Sequence, residues 1–377
     1  MKNKFEDIMR KLKRIIMKKN NLAISIICLI SLLSCHSTDF SNPEEVVKTY
    51  RKLRLENAIV YDDYISSKSK EYVTKDEFVK NTTDLSDSVR KSTKLIERNI
   101  LSLPMGANSS TYRRFKVEEK VFRTDTIYRR FYYSLINENG KWKIIWYNTL
   151  LDFAQNLFRN GNYSEARKTY EKIIEIDPFS GKAYNGLAWA YLRDGSLPDS
   201  ERENGIVKNV KYAITLEEDE NDYYNTFSAY YSSIGNEDLA IHYLERGLLF
   251  CINKYHKANV YANLAGRYIA IRNFEKAEEY LNKSIEIDDE NAHPWFLYGN
   301  LMLEQGNTQK AIAFYEKALE QDKMLNALQG DLYYYYAFCC YHNSYRDKAL
   351  EYVIKALDIA PNNQNYQSFY NQIKQCE

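Results

Sequence analysis

Glycine and proline are scarce in this chain. Of its 377 residues, 13 are Gly and 6 are Pro, whereas average proteins contain about 7% Gly and 5% Pro. Collagen-like and linker-like chains need many more of both residues, and a β-sandwich needs them in its many tight turns. The shortage therefore excludes the first two classes and argues against the third.

Residues suited to catalysis are also few. The 5 His residues are scattered without metal-ligand spacing, and residues 41–148 contain none, which removes the usual general acid or base at neutral pH. The sequence has no phosphate loop, nucleophile elbow or pair of catalytic acids. We therefore expect no enzyme activity, no catalytic or metal-binding residues and no cofactor. Four carboxylates in this region are expected to be solvated surface groups: Asp62, Asp63, Asp84 and Asp87.

Tyrosine, in contrast, is abundant, with 34 residues. Codon usage in an AT-rich genome explains part of such an excess, so a structural role has to be shown by position. With 45% hydrophobic residues, 27% charged residues and a net charge of +1, the chain can bury cores. Its length suggests two or three domains.

The charge divides by region. Residues 1–35 carry eight basic and two acidic side chains, residues 36–148 carry 21 and 16, and residues 149–377 carry 23 and 33. The net charges of the three regions are therefore +6, +5 and −10. Without the first region the chain is acidic, which argues against a nucleic-acid partner.

The first region looks like a leader. Its basic residues precede an apolar run at residues 22–33, which is too short to span a membrane but suits the core of a secretory signal. The run ends in Leu32-Leu33-Ser34-Cys35, which resembles the lipobox of bacterial lipoproteins. The resemblance implies that residues 1–34 are removed, that Cys35 is acylated and that residues 35–40 tether the chain to the membrane. The alternative is a buried Cys in an ordinary helix.

Residues 41–148 show an α+β pattern. Ser41 is expected to begin a helix, and Thr74 and Glu77 have the spacing of a capping box. Strand-like segments follow at 112–122 and 127–136, and Asn139-Gly140 predicts a hairpin turn into residues 141–146. Helices followed by such a curved meander resemble the cone-shaped nuclear transport factor 2-like fold. Members of that fold include enzymes, ligand binders and interaction modules.

Residues 149–377 contain internal repeats. Similar segments recur around Ala166, Ala240, Ala277, Ala311 and Ala349, and most steps lie near 34 residues or twice that length. This helix–turn–helix period resembles the tetratricopeptide repeat. Six repeats would begin near Tyr147, Gly181, Asn221, Ala258, Ala292 and Gly330. A capping helix at residues 364–375 is expected to close the array, because the end of a solenoid needs a polar outer face.

The repeat pattern predicts particular packing. Small residues at the eighth position, where the two helices of a repeat cross, are Ala154, Ala188, Ser228, Ala265, Gly299 and Ala337. The turn between the helices is assigned to Gly161, Gly195, Gly235 and Gly306, with Arg272 and Ser344 in the other repeats. The second repeat departs from the pattern. Residues 196–203 contain an insertion, which is expected to form a loop, and Ile206 occupies the position at which the other repeats have Ala.

The resemblance implies a partner-binding groove lined by the first helix of each repeat. The side chains at its inward positions are the candidate site residues Asn185, Trp189, Arg193, Asn225, Asn259, Phe296, Asn300, Tyr334, Phe338 and Tyr341. Asn can bond a peptide backbone and aromatic rings can hold its side chains. The alternative is an ordinary solvated or self-packed surface.

The sequence thus predicts an α+β cone-like domain followed by an all-α repeat solenoid. The expected function is a lipid-anchored envelope adaptor that binds a partner protein or peptide, facing the periplasm from the outer membrane. The alternative is a small-ligand-binding or weakly hydrolytic lipoprotein that uses the pocket of the cone-like domain.

Overall fold

The structure, a computed structural model, describes residues 38–55, 61–78, 93–104, 110–122, 126–321 and 328–375. The chain divides into two compact units, unit 1 (Met1–Asp194) and unit 2 (Gly195–Glu377). The predictions for the leader, for the lipidated Cys35 and for Asp84 and Asp87 fall outside the described residues.

The first described elements of unit 1 are helices. They are α1 (Pro43–Leu55), α2 (Tyr61–Tyr64) and α3 (Ser67–Lys70). The helix predicted from Ser41 begins at Pro43, and the Asn42 side chain caps it by accepting hydrogen bonds from the backbone N–H groups of Glu44 (3.1 Å) and Glu45 (3.4 Å). Pro43 then fills the first helical position, where its missing N–H costs nothing.

The predicted capping box is confirmed at residues 74–78. The backbone N–H of Thr74 donates to the Glu77 carboxylate (2.8 Å), and the N–H of Glu77 donates to the Thr74 hydroxyl (3.3 Å). These reciprocal bonds satisfy donors that a helix start leaves without partners. Residues 75–78 are helical as a result.

A four-stranded antiparallel sheet follows, in the order β1-β2-β3-β4. Its strands are β1 (Lys94–Leu103), β2 (Tyr112–Phe122), β3 (Thr126–Glu138) and β4 (Lys141–Ile144). The predicted hairpin turn is confirmed, since Asn139 (φ 53°) and Gly140 (φ 80°) both have the positive φ that a two-residue turn requires. Helices and sheet together make this part of unit 1 an α+β structure.

The core of this α+β part lies between α1 and one face of the sheet. Aromatic rings fill much of it: Tyr50 is fully buried and its ring lies 6.0 Å from that of Tyr133. Apolar side chains complete the cluster: Val46, Val47, Leu53, Phe115, Val117, Leu135, Trp142 and Ile144. Alternate residues of β2 face this core, as expected for a half-covered sheet.

Unit 1 continues into three longer helices, α4 (Asn148–Arg159), α5 (Tyr163–Ile176) and α6 (Gly181–Arg193). The corner between α5 and α6 packs on the sheet: the ring of Phe179 lies 5.3 Å from that of Tyr112, and Asp177 beside it is buried. The first helix pair is therefore packed together with the α+β part.

The described residues of unit 2 form a series of helices. They are α7 (Asp199–Leu216), α8 (Asn221–Ser233), α9 (Glu237–Leu248), α10 (Lys254–Ala270), α11 (Phe274–Ile287), α12 (Ala292–Glu304), α13 (Thr308–Glu320), α14 (Gln329–His342), α15 (Arg346–Ile359) and α16 (Gln364–Gln375). Because α16 has the bounds predicted for the capping helix, that prediction is confirmed. We call the first helix of each repeat helix A and the second helix B.

The small residues lie where the pattern requires them. All the side chains predicted for the eighth position are buried, as are the Ala residues of helix B, namely Ala166, Ala240, Ala277, Ala311 and Ala349. Large aromatic residues fill the space between the helices: Tyr170, Tyr224, Tyr268 and Tyr315 are each at most 5% exposed. These tyrosines therefore have a structural role that their position in the repeats explains.

The turn and insertion predictions are confirmed only in part. Gly161, Gly235 and Gly306 have φ of 76–77°, and Arg272 (φ 58°) and Ser344 (φ 65°) adopt the same left-handed conformation without being Gly. In the second repeat, Gly195 does not adopt this left-handed conformation. Residues 199–203 are helical and do not form the expected loop. The inserted residues extend α7 at its start. Ile206, in the Ala position of this helix, is 1% exposed.

Within the described residues, no helix is both long enough and apolar enough to cross a membrane.

Candidate partner-binding surface

In unit 1 the candidate residues share one face of α6. Asn185, Trp189 and Arg193 follow each other at four-residue steps, which places them one above the other on a helix. The Arg193 guanidinium lies 5.8 Å from the centre of the Trp189 ring, within the range of a cation–π interaction. Trp189 is half-buried and Arg193 is exposed. This face offers an aromatic platform with an adjacent positive charge.

In unit 2 the candidate Asn225 lies on α8, the helix A of its repeat. Its side-chain carbonyl oxygen is buried and accepts no hydrogen bond. Ala229, one turn further along the same face, is half-buried and small. An unsatisfied acceptor costs free energy of order 1–3 kcal/mol, so this position favours a ligand that brings an N–H donor.

The candidates on the next two A helices have structural partners. Asn259 on α10 accepts a hydrogen bond from the side chain of Asn291 (2.8 Å), the residue that caps α12. Asn300 on α12 accepts one from the Tyr315 hydroxyl (2.8 Å). Phe296 is 4% exposed and belongs to the core. These three side chains hold neighbouring helices together, and Phe296 cannot act as a surface anchor.

The aromatic candidates on α14 contact the capping helix. The ring of Tyr334 stacks on that of Tyr366 (5.1 Å), and both Phe338 (5.9 Å) and Tyr341 (5.7 Å) contact the ring of Phe369. The helix α16 thus covers one side of these rings. Sequence periodicity identified the face, but it did not show which neighbour occupies it.

Polar contacts between successive repeats of unit 2 were not predicted from the sequence. The Arg267 guanidinium donates to the Ser232 hydroxyl and lies 3.4 Å from the Glu237 carboxylate. Burial, together with the charge of Arg267, lowers the pKa of His293 to about 4. His293, at the start of α12, is therefore neutral at pH 7. The repeat pattern gives no signal for the contacts that Arg267 makes with Ser232 and Glu237.

Other reactive groups offer little. Among the described residues, no three His, Cys, Asp or Glu side chains come close enough together to hold a metal ion. Cys339 and Cys340 are free thiols, and burial raises the pKa of Cys339 to about 12. A thiol with so high a pKa is a poor nucleophile at neutral pH.

Comparison with known families identifies the helix pairs. Models of the tetratricopeptide repeat match residues 151–203, 268–332 and 302–373. Tetratricopeptide repeats are present in this chain. The matched residues include α4 to α6 and the helices from α11 to α15, so the repeats lie in both units. The sequence-based prediction of tetratricopeptide repeats is confirmed.

Curated relatives share part of the sequence. The chain is 24% identical over 212 residues to the protein CTR9 homolog of Arabidopsis thaliana, which covers 54% of this chain and 18% of that protein. It is 36% identical over 83 residues to human cilia- and flagella-associated protein 70, covering 21% of this chain and 7% of that one. The chain therefore spans less than a fifth of either relative.

The solved structures that resemble part of this chain include pilF and PilW. Pseudomonas aeruginosa pilF superposes with a TM-score of 0.42 and 16% identity over 60% of this chain and 96% of that one. PilW, described as a widely conserved type IV pilus biogenesis factor, superposes with a TM-score of 0.44 and 15% identity, over 59% of this chain and 96% of that one.

Proposed function

We propose that this chain is a lipid-anchored adaptor of the bacterial cell envelope. Its tetratricopeptide repeats bind a partner protein through their A helices, and Cys35 carries the lipid. The α+β part, which we take to be a nuclear transport factor 2-like domain, acts as a spacer or docking unit near the membrane. The outer membrane, facing the periplasm, is the proposed location.

The observation that carries the proposal is the side-chain carbonyl of Asn225. It is buried, lacks a hydrogen-bond partner and lies on a helix A, beside the small side chain of Ala229. A backbone N–H of a bound segment would satisfy this acceptor. On α6, Trp189 and Arg193 supply an aromatic and a positive contact of the kind that dominates protein interfaces.

The sequence supports the anchor. A basic stretch, an apolar run and Leu32-Leu33-Ser34-Cys35 occur in the order that lipoprotein signals have. Only a few residues separate Cys35 from Phe40, whose backbone carbonyl accepts a hydrogen bond from the Trp142 N–H (2.8 Å) at the start of β4. Since a residue spans at most about 3.6 Å, a lipidated Cys35 holds the α+β part within roughly 20 Å of the membrane.

A crosslinking pull-down of the intact lipoprotein from its own cells tests the adaptor role. The expected result is one envelope protein that is enriched with the wild type and reduced at least tenfold by Asn225→Ala or Trp189→Ala. Tyr212→Ala, which removes a 44% exposed aromatic side chain from helix B, is the matched control. If the same proteins are recovered with all variants, the A helices are not the binding surface.

A further inference from the structure

A charged cluster lies inside the α+β part of unit 1. Arg51 on α1 donates two hydrogen bonds to the Glu119 carboxylate on β2, from Nε (3.2 Å) and Nη2 (2.6 Å). Arg98 on β1 donates from Nε to the same carboxylate (2.8 Å). The side chain of Glu119 is 1% exposed and those of Arg51 and Arg98 are 8% and 13% exposed. The cluster is therefore almost dry.

The two Arg residues are not equally satisfied. Arg51 also donates from Nη1 to the Tyr133 hydroxyl (3.0 Å), and its guanidinium lies 4.0 Å from the centre of the Phe131 ring. The Nη2 group of Arg98, by contrast, is buried and donates to no acceptor. A charged donor without an acceptor is unfavourable in a dry site. The contacts of Arg51 hold α1 on the sheet, whereas the Nη2 group of Arg98 has no acceptor.

The charge balance at this place is positive. The cluster contains two guanidinium groups, those of Arg51 and Arg98, and one carboxylate, that of Glu119. Burial alone would raise the pKa of Glu119, but the hydrogen bonds and charges of Arg51 and Arg98 outweigh it and lower that pKa. Glu119 is therefore ionised at neutral pH, and an excess of positive charge still remains.

The backbone beside Arg98 is irregular. The pairing of β1 with β2 shifts between Leu95 and Glu97, so that one extra residue, Ile96, is inserted two residues before Arg98. Such bulges re-aim neighbouring side chains and occur often at binding sites on edge strands. The strand β1 is an edge of the sheet in the described order. Arg98 thus reaches the buried cluster from a strand that has one neighbour, β2, in the described sheet.

We propose that this cluster is a binding site for an organic carboxylate with an apolar body, and that Arg98 binds its carboxylate group. The planar fork of a guanidinium matches the two oxygens of a carboxylate. Phe131, Ile100 and Val121 lie on the same face of the sheet and supply apolar contacts. The site is separate from the partner-binding surface, so either proposal can fail without the other.

Isothermal titration of the full chain with hexanoate tests the site, with hexanol as the uncharged analogue and inorganic phosphate as the competing anion. We expect saturable binding of hexanoate that is at least tenfold tighter than that of either other probe. Arg98→Met should weaken it at least tenfold. Lys94→Met, which removes an exposed positive charge from the same strand, should leave it unchanged.

Hydrogen exchange of the wild-type chain gives a second readout if Arg98→Met does not fold. Hexanoate should slow exchange of the backbone amides of β1 and β2 around Arg98 and Glu119, and hexanol should not. The proposal is overturned if hexanoate neither binds saturably nor protects these amides. It is also overturned if phosphate binds more tightly than hexanoate, or if a folded Arg98→Met variant binds hexanoate as the wild type does.

Discussion

The buried carboxylate of Asp177 predicts an unusual dependence of stability on pH. It lies at the corner between α5 and α6, is 2% exposed and accepts a hydrogen bond from the backbone N–H of Phe179 (3.1 Å). Burial raises its pKa from 3.8 to about 6, although the Ser134 hydroxyl and the positive charges of Arg114 and Lys68 favour the ionised form. The folded chain therefore binds this proton more tightly than the unfolded chain does.

The sign and size of the effect follow from linkage between protonation and folding. Below pH 3.8 Asp177 is protonated in both states, and its contribution to stability is fully present. As the pH rises through about 6, Asp177 loses its proton in the folded chain and becomes a buried charge. Its contribution to the stability of the folded chain is then lost. The rise of this pKa from 3.8 to about 6 corresponds to about 3 kcal/mol of unfolding free energy, at 1.36 kcal/mol for each pH unit.

Asp177→Asn removes this titration and isolates the effect from all other groups. We expect the free energy of unfolding of the wild type, minus that of the variant, to fall by about 3 kcal/mol between pH 3.5 and 7.5. Urea unfolding can be followed by tryptophan fluorescence, since Trp142, Trp146 and Trp189 all lie in unit 1. Glu171→Gln, on the exposed face of α5, controls for the loss of one negative charge.

Two outcomes would refute this reasoning. A difference that stays constant across the pH range would mean that Asp177 has the same proton affinity in both states. A difference that rises with pH would mean that the hydrogen bonds and positive charges outweigh burial.

Further predictions concern the repeat packing and the anchor. Arg272→Gly should raise the free energy of unfolding by about 1 kcal/mol, because Gly adopts the left-handed conformation (φ 58°) without strain; urea unfolding measures it. Gly299→Ala should lower that free energy by about 1–3 kcal/mol, because its methyl group would overlap the buried ring of Tyr315. Gly266→Ala, where the methyl group meets only ordinary contacts, should be neutral or stabilising, and equal effects of the two would contradict the packing account. Cys35→Ser should abolish metabolic lipid labelling, and labelling that survives would disprove the anchor.

The repeat architecture was largely predictable from sequence. The crossing of two helices admits only small side chains, so a physical requirement at Ala166, Ala240, Ala277 and Ala311 leaves a visible period in the sequence. The hairpin at Asn139-Gly140 was predictable for the same kind of reason, because few residues tolerate a positive φ. Requirements that are local and exclude most residue types can be recognised in a single sequence.

Long-range contacts were not predictable in this way. The packing of Phe179 on Tyr112 depends on how the first repeat meets the sheet, and periodicity does not encode that. The link between Arg98 and Glu119 requires the register of β1 against β2, which includes an inserted residue. Coverage of Tyr334 by α16 likewise depends on the position of a neighbouring helix. The candidate surface could therefore be located only to a helix face.

Site-specific photocrosslinking in living cells tests the central claim most directly. A photoreactive residue at Ala229, beside the unsatisfied carbonyl of Asn225, is compared with one at Leu239, which is 37% exposed on helix B of the same repeat. The account predicts one crosslinked envelope protein from position 229 and none from position 239. Equal crosslinking from both positions, or crosslinking from 239 alone, would contradict the proposed partner-binding surface.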